Sequence, residues 1–106
     1  MKHASIIMHL YSHFSRYHEL WRRKVHETDE LGALVFLPGR ELQWEWWSMA
    51  EIRDYIQQGG LDDRELLAGL TESEIGEEFF VLVIEHGTGP QGQEAHFHRM
   101  NKAKMN

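Results

Sequence analysis

The stretch HGTGPQGQEAHFH, residues 86–98, contains two patterns that could do chemistry. The first is a G-x-G-x-x-G spacing, formed by Gly87, Gly89 and Gly92. This spacing binds a pyrophosphate when a strand precedes it and a helix follows, because the phosphates lie at the helix N-terminus. Here the following residues alternate as a strand does, and Pro90 removes one of the N–H groups that would face a phosphate. We therefore predict a hairpin loop over 87–92.

The second pattern is a set of imidazoles, since the chain has eight histidines. His9 and His13 lie one helical turn apart, and His96 and His98 share one face of a predicted strand. A metal site would need His96 and His98 together with His9 or His13. The glutamate of an H-E-x-x-H metalloprotease motif is missing from His-Leu-Tyr-Ser-His, and there is no cysteine. We therefore predict that the histidines are partly buried or on the surface and bind no metal or cofactor. The alternative is a metal site formed by these four histidines.

Other chemistry has little support in the sequence. G-x-S-x-G is absent, and no nucleophile stands beside a general base, so we do not expect an enzyme. The absence of cysteine excludes disulfides and thiol nucleophiles, and it fits a reducing compartment. The N-terminal segment has only short apolar runs, which predict neither a signal peptide nor a membrane span. These features favour a soluble, cytoplasmic protein.

Residues 5–26 predict one long helix, because large apolar side chains fall within a stripe about 100° wide. The stripe consists of Ile6, Ile7, Leu10, Phe14, Tyr17, Trp21 and Val25. The basic run at 22–24 would lie in the last turn, where cations meet the negative end of the helix dipole.

Two hairpins are predicted on either side of a helical region. Segments 33–37 and 42–47 flank the turn residues PGRE, and 79–86 precedes 93–100 across the glycine-rich loop. In the second hairpin the apolar pattern pairs Ile84 with Ala95 and Leu82 with Phe97. In the first, Trp44 and Trp46 share a face, and core packing is the favoured interpretation of both indoles. His86 falls on the face opposite to His96 and His98.

Three helix starts lie between the hairpins, at Ser48, Asp62 and Thr71, each with Glu three residues later as in a capping box. They predict short helices over 49–58, 63–69 and 72–78. The predicted fold is a single α+β domain over 1–106 with the order α-β-β-α-α-α-β-β. We expect a four-stranded, mostly antiparallel sheet, covered by the long N-terminal helix, and a loose tail at about 101–106.

Charge is distributed unevenly along this chain of net charge −6. Residues 1–26 carry +4, residues 27–94 carry −13 and residues 95–106 carry +3. The densest acidic part, 61–78, contains seven acids and one arginine. Many of these acids lie in predicted first turns, where the helix dipole favours them, so a solvated acidic face is one interpretation. The other is a surface that docks on a basic partner.

In size and charge the chain resembles immunity proteins and phage-encoded inhibitors such as anti-CRISPR proteins, which present carboxylates to basic clefts. This resemblance implies a non-enzymatic inhibitor or regulator, whose partner is a protein with a basic surface or a nucleic-acid-binding complex. The expected contact residues are Asp63, Glu72, Glu77 and Glu78. The second choice is the basic set Arg16, Arg22 and Arg23. A His-based metal-binding regulator and a nucleic-acid-associated protein that uses the first helix are the alternatives, although the few cations argue against direct nucleic-acid binding.

Overall fold

The computed structural model describes residues 3–40, 42–59, 78–87 and 92–102. Within these residues three helices and four strands follow one another. They are α1 (His3–Ser12), α2 (Phe14–Thr28), β1 (Gly32–Phe36), β2 (Trp44–Ser48), α3 (Met49–Gly59), β3 (Glu78–His86) and β4 (Gln93–Asn101). The α+β class is confirmed, and the bounds of the four strands and of α3 lie within two residues of the predicted ones. The predicted helices 63–69 and 72–78 lie outside the described residues except for Glu78, which begins β3.

The N-terminal helical segment is divided at His13. Its backbone leaves the helical region, with φ −124° and ψ 40°, although the His13 N–H still donates to His9 O and the Tyr17 N–H to His13 O. The prediction of one continuous helix was therefore wrong in this detail. The apolar stripe was correct, since Ile6, Leu10 and other stripe residues are buried on both sides of the break. Helix α2 ends at Thr28, and the C-cap residue Asp29 adopts the left-handed conformation (φ 53°).

The four strands form one mixed sheet in the order β2-β1-β3-β4. β1 and β2 are antiparallel, β3 and β4 are antiparallel, and the two hairpins join through a parallel pair of β1 and β3. Both central strands consist almost entirely of buried residues. An interior strand covered on both faces is apolar throughout, which explains the unbroken apolar run of 79–84.

Helices cover both faces of the sheet. On one face Phe14 packs on Phe79, and Tyr17 packs edge-on against Phe36, so α2 lies over β1 and β3. On the other face α3 lies over the first hairpin, because the Tyr55 ring contacts that of Trp47. The three tryptophans of β2 are half-buried and pack against the core, as predicted for Trp44 and Trp46.

Helix α3 begins with the predicted capping box. The Glu51 N–H donates to Ser48 Oγ, and the Ser48 N–H donates to Glu51 Oε1, both at 3.2 Å. Each bond satisfies a donor that the first helical turn leaves without an intrahelical acceptor. The other two predicted capping boxes, at Asp62 and Thr71, lie outside the described residues.

Candidate functional site

A cluster of histidines and glutamates lies near the loop end of the β3–β4 hairpin. The register places Glu85 directly opposite Glu94, and His96 and His98 follow on the same face of the sheet. This is the face on which α1 and α2 lie, so acidic groups and imidazoles occupy positions next to a covering helix. His86 pairs with Gln93 on the opposite face, as predicted.

His3, the first residue of α1, lies over both strand histidines. Its ring centroid is 4.3 Å from that of His96 and 4.6 Å from that of His98, and the rings are nearly parallel. The Nε2 atoms of His3 and His98 are in contact, an arrangement in which one imidazole donates and the other accepts a hydrogen bond. α1 therefore supplies a third imidazole to the sheet face.

The surroundings of His98 and His3 favour their neutral forms. Burial, together with the smaller effects of the neighbouring His3 and His96, lowers the pKa of His98 to about 4. Burial and His96 also lower the pKa of His3, whereas the Glu85 carboxylate acts in the opposite direction. At neutral pH His98 is therefore uncharged, as its contact with His3 requires of at least one of the two rings.

Glu85, Glu94 and His96 are close enough together to hold one metal ion between them. Each offers one donor atom, and these atoms all lie within 4.8 Å of one another. His96 Nε2 is 3.8 Å from Glu94 Oε2. Glu85 Oε1 is buried without a hydrogen-bond partner within the described part of the chain. Two carboxylates and an imidazole are donors of the kind that bind divalent metal ions.

Gly87, which directly follows β3, packs against the Glu94 side chain. The Gly87 N–H donates to Gly92 O at 3.0 Å, which closes the loop between β3 and β4 as predicted. Gly87 lies against the Glu94 side chain so closely that a methyl group at this position would overlap it. Two glycines of the G-x-G-x-x-G spacing therefore have a structural role: Gly87 and Gly92 close the hairpin, and Gly87 also allows the close approach of Glu94.

His9 and His13 do not form the helix side of this cluster. Their rings are 4.7 Å apart, as the one-turn spacing predicts, but His9 Nε2 lies 3.1 Å from Tyr17 Oη. The structure brings His96 and His98 together with His3, and not with His9 or His13 as expected. The reason is the position of α1 along the sheet, which places its first turn over the hairpin end.

A second candidate site is a basic groove of about 710 Å³ along α2. Its lining residues are Phe14, Ser15, His18, Glu19, Arg22, Arg23, His26 and Lys102. Arg22 and Arg23 are exposed, and Lys102 follows β4, so cations from two elements line the groove. Arg23 donates to Glu19 Oε1 at 3.1 Å, one turn earlier on the helix.

Of the four acidic residues predicted to contact a partner, the structure describes Glu78 alone. Asp63, Glu72 and Glu77 lie outside the described residues. Glu78, expected at the end of a helix, is instead the first residue of β3; it is 9 % exposed and bound to Arg99 and Asn101. Asn101, expected in a loose tail, is the last residue of β4.

Arg16, from the second choice, also lies apart from the groove. It is exposed, and its guanidinium carbon is 5.8 Å from the centre of the Tyr17 ring. The other two arginines of that choice, Arg22 and Arg23, line the groove together.

His3, Glu85 and Glu94 are members of the cluster that histidine spacing alone does not predict. The signal for the two glutamates was present in the hairpin register, because pairing His86 with Gln93 also pairs Glu85 with Glu94 on the face of His96. No comparable signal exists for His3, because helix-to-sheet packing determines its position.

Among the described helices, none has the length and apolar character required to cross a lipid bilayer. In comparisons with protein-family models, curated protein sequences and solved structures, none matches the chain.

Proposed function

We propose that this protein acts by binding another protein, as a non-enzymatic inhibitor or regulator, and that the groove along α2 is its contact surface. The observation that carries the proposal is the convergence of Arg22 and Arg23 from α2 with Lys102 from the end of β4 around one concave surface. Concave sites with converging charged groups are the usual places for specific binding.

The spacing of the lining residues supports an extended ligand. Ser15, Glu19, Arg22 and His26 recur every three or four positions, which places them on one side of the helix over about three turns, or roughly 16 Å. Phe14 also lines the groove, although it is only 4 % exposed. An extended peptide segment fits such a surface better than a small ligand does.

The charges of the groove favour an acidic partner segment. Arginine side chains bind carboxylates through two parallel hydrogen bonds, and Arg22 presents a guanidinium group beside Arg23, which is itself bound to Glu19. Glu19 also lines the groove, next to Arg23, and its carboxylate would repel phosphates, whereas nucleic-acid affinity depends on many phosphate contacts. We therefore favour an acidic peptide over a nucleic acid.

The acidic segment 61–78 supports a second contact surface, directed at a basic partner. Its seven acids lie between termini of net positive charge. Asp63, Glu72 and Glu77 are the residues proposed for this contact. Glu78 is no longer included, because its carboxylate already has two intramolecular partners. A protein with both surfaces would bind an oppositely polarised partner in one orientation.

Affinity capture from the native host tests the proposal, with the partner identified by mass spectrometry and its association rate then measured at increasing salt. The groove variant Arg22→Glu/Lys102→Glu leaves the Arg23–Glu19 pair intact, and Arg53→Glu, an exposed position on α3, is the matched control. We expect the partner to bind the wild type and the control, to bind the groove variant at least about tenfold more slowly, and to associate more slowly as salt rises.

Three results distinguish the surfaces. Binding lost only in Asp63→Lys/Glu77→Lys would assign the contact to the acidic segment and reject the groove. Capture of nucleic acid that the groove variant abolishes would replace the protein partner by a nucleic acid. Wild-type association in both variants would reject both surfaces.

A further inference from the structure

Glu85 and Glu94 face each other directly across neighbouring strands, an unfavourable arrangement for two carboxylates. Glu85 Oε1 is also removed from solvent, with no hydrogen-bond partner in the described residues. A buried carboxylate oxygen without a partner destabilises a fold unless a cation or a proton compensates it. The hairpin therefore places two carboxylates side by side, and one oxygen of Glu85 is buried at this point.

His96 completes a three-donor geometry at this point. Its Nε2 is 3.8 Å from Glu94 Oε2, and one donor atom of each of the three residues lies within 4.8 Å of the others. Two ligands of a tetrahedral metal ion, each about 2.1 Å from the ion, are roughly 3.4 Å apart. Small side-chain rotations would bring the three donors to this separation. We propose that Glu85, Glu94 and His96 bind one divalent transition-metal ion.

The donor types determine the class of metal. Imidazole nitrogen is a good ligand for Zn²⁺ and its neighbours, whereas Mg²⁺ and Ca²⁺ prefer oxygen donors alone. No thiolate is available, since the chain has no cysteine. Three protein ligands leave at least one coordination position for water or for a group of a partner. Zn²⁺ is therefore the ion that the site fits, and Co²⁺ and Mn²⁺ are its probes.

The His3 ring supports this arrangement from above. It stacks on His96 at 4.3 Å between centroids, which restricts the orientation of the His96 imidazole. We assign His3 a positioning role and place His98 beside the site, in contact with His3 and not among the three ligands. This site lies on a different element pair from the α2 groove, so it does not depend on the proposed partner.

Zn²⁺ titration of the full-length protein, freed of metal with chelator, tests the inference by calorimetry. We expect one Zn²⁺ per chain and a higher melting temperature when Zn²⁺ is present, because a ligand that binds only the folded state stabilises it. Glu85→Gln and His96→Ala should each weaken binding by roughly 100-fold, since each removes a direct ligand. The matched control is His86→Ala, an exposed histidine on the opposite face of the same hairpin, which should leave affinity unchanged.

Further variants separate this site from other histidines. His9→Ala/His13→Ala should bind Zn²⁺ as the wild type does. Gly87→Ala retains every ligand but displaces Glu94, and it should weaken binding at least about tenfold. His3→Ala should weaken binding less than His96→Ala does, and His3→Phe, which can still stack, should restore part of the loss.

A measurement on the wild type keeps the test independent of variant folding. Substoichiometric Mn²⁺ should broaden the amide NMR signals of 84–86 and 94–97 before those of α3. The inference is overturned if the wild type binds no Zn²⁺, if Glu85→Gln and His96→Ala bind it normally, or if Mn²⁺ broadens signals elsewhere first. Binding lost in His9→Ala/His13→Ala would also overturn it, by moving the site to the helix.

Discussion

Arg99 and Glu78 form a two-point ion pair across β4 and β3, in which Arg99 Nε donates to Glu78 Oε2 at 2.6 Å and Nη2 to Oε1 at 2.9 Å. The glutamate side chain is 11 % exposed, so the pair is largely removed from water. Arg99→Ala would leave a buried carboxylate with fewer donors. We expect a loss of about 2 kcal/mol in the free energy of unfolding, measured by urea denaturation, less than for a fully buried pair because Arg99 is partly exposed.

The exposed Arg23–Glu19 pair provides the control for this prediction. Both of its side chains are more than half exposed, and pairs of this kind contribute at most about 0.5 kcal/mol. Arg23→Ala should therefore change stability much less than Arg99→Ala. Equal effects of the two substitutions would show that the burial of Glu78 is not what makes its ion pair important.

The capping box at the start of α3 should also contribute to stability. Ser48→Ala removes the acceptor of the Glu51 N–H and should cost about 1 kcal/mol in thermal or urea unfolding. Glu51→Ala removes the reciprocal bond and should cost less, and the double variant should lose less than the sum because both substitutions disrupt one motif. Ser5→Ala, on the exposed side of α1, should stay within about 0.5 kcal/mol of the wild type. Strict additivity would argue against a reciprocal cap.

Hairpin register could be predicted because it has a local cause. A loop over 87–92 and alternation in β4 together determine that Ile84 pairs with Ala95 and Leu82 with Phe97, and both pairs are present. The capping box at Ser48 is similarly local. The parallel pairing of β1 with β3 could not be predicted in this way, because a strand that is apolar on both faces accepts a parallel or an antiparallel neighbour.

Neither the break at His13 nor the position of Glu78 has a local signal in the sequence. The apolar stripe continues through His13 without interruption, so periodicity gives no sign of a changed backbone there. Glu78 resembles a helix-end acid in sequence, but Arg99 and Asn101 lie more than twenty positions away and bind it only once β4 is in place. The position of His3 in the histidine cluster also depends on a distant contact, the packing of α1 on the sheet, and has no sequence signal.

Trp21 provides a third stability prediction. Its indole N–H donates to Gly32 O at 2.8 Å, and both residues are buried. Trp21→Phe retains an aromatic ring beside Phe80 but leaves this carbonyl without its donor. We expect a loss of roughly 1–3 kcal/mol in the free energy of unfolding, from the unsatisfied carbonyl and the smaller ring. Trp47→Phe, whose half-buried indole donates to Glu45, should cost less. A smaller loss at Trp21 than at Trp47 would contradict this assignment.

Stability should fall as pH is lowered from 7 to 5, because of His98. Its pKa is about 4 in the folded protein and 6.5 in the unfolded chain. Below pH 6.5 the unfolded chain therefore takes up a proton that the folded protein accepts only near pH 4, and protonation favours unfolding. The His98 contribution is fully present above about pH 6.5 and is lost progressively toward pH 4. Its loss at pH 5 should be about 1 kcal/mol, since the partly exposed ring retains solvent screening.

His98→Gln identifies the source of this pH dependence. Glutamine does not titrate, so the variant should lose less stability than the wild type between pH 7 and pH 5 in urea unfolding with chelator present. His3 contributes in the same direction, because burial and His96 lower its pKa, with partial opposition from Glu85, so some dependence should remain. His86→Gln, at an exposed position, should keep the wild-type slope. Identical slopes in His98→Gln and the wild type would mean that the His98 imidazole is as easily protonated in the folded protein as in the unfolded chain, and that its contact with His3 does not exclude the charged form.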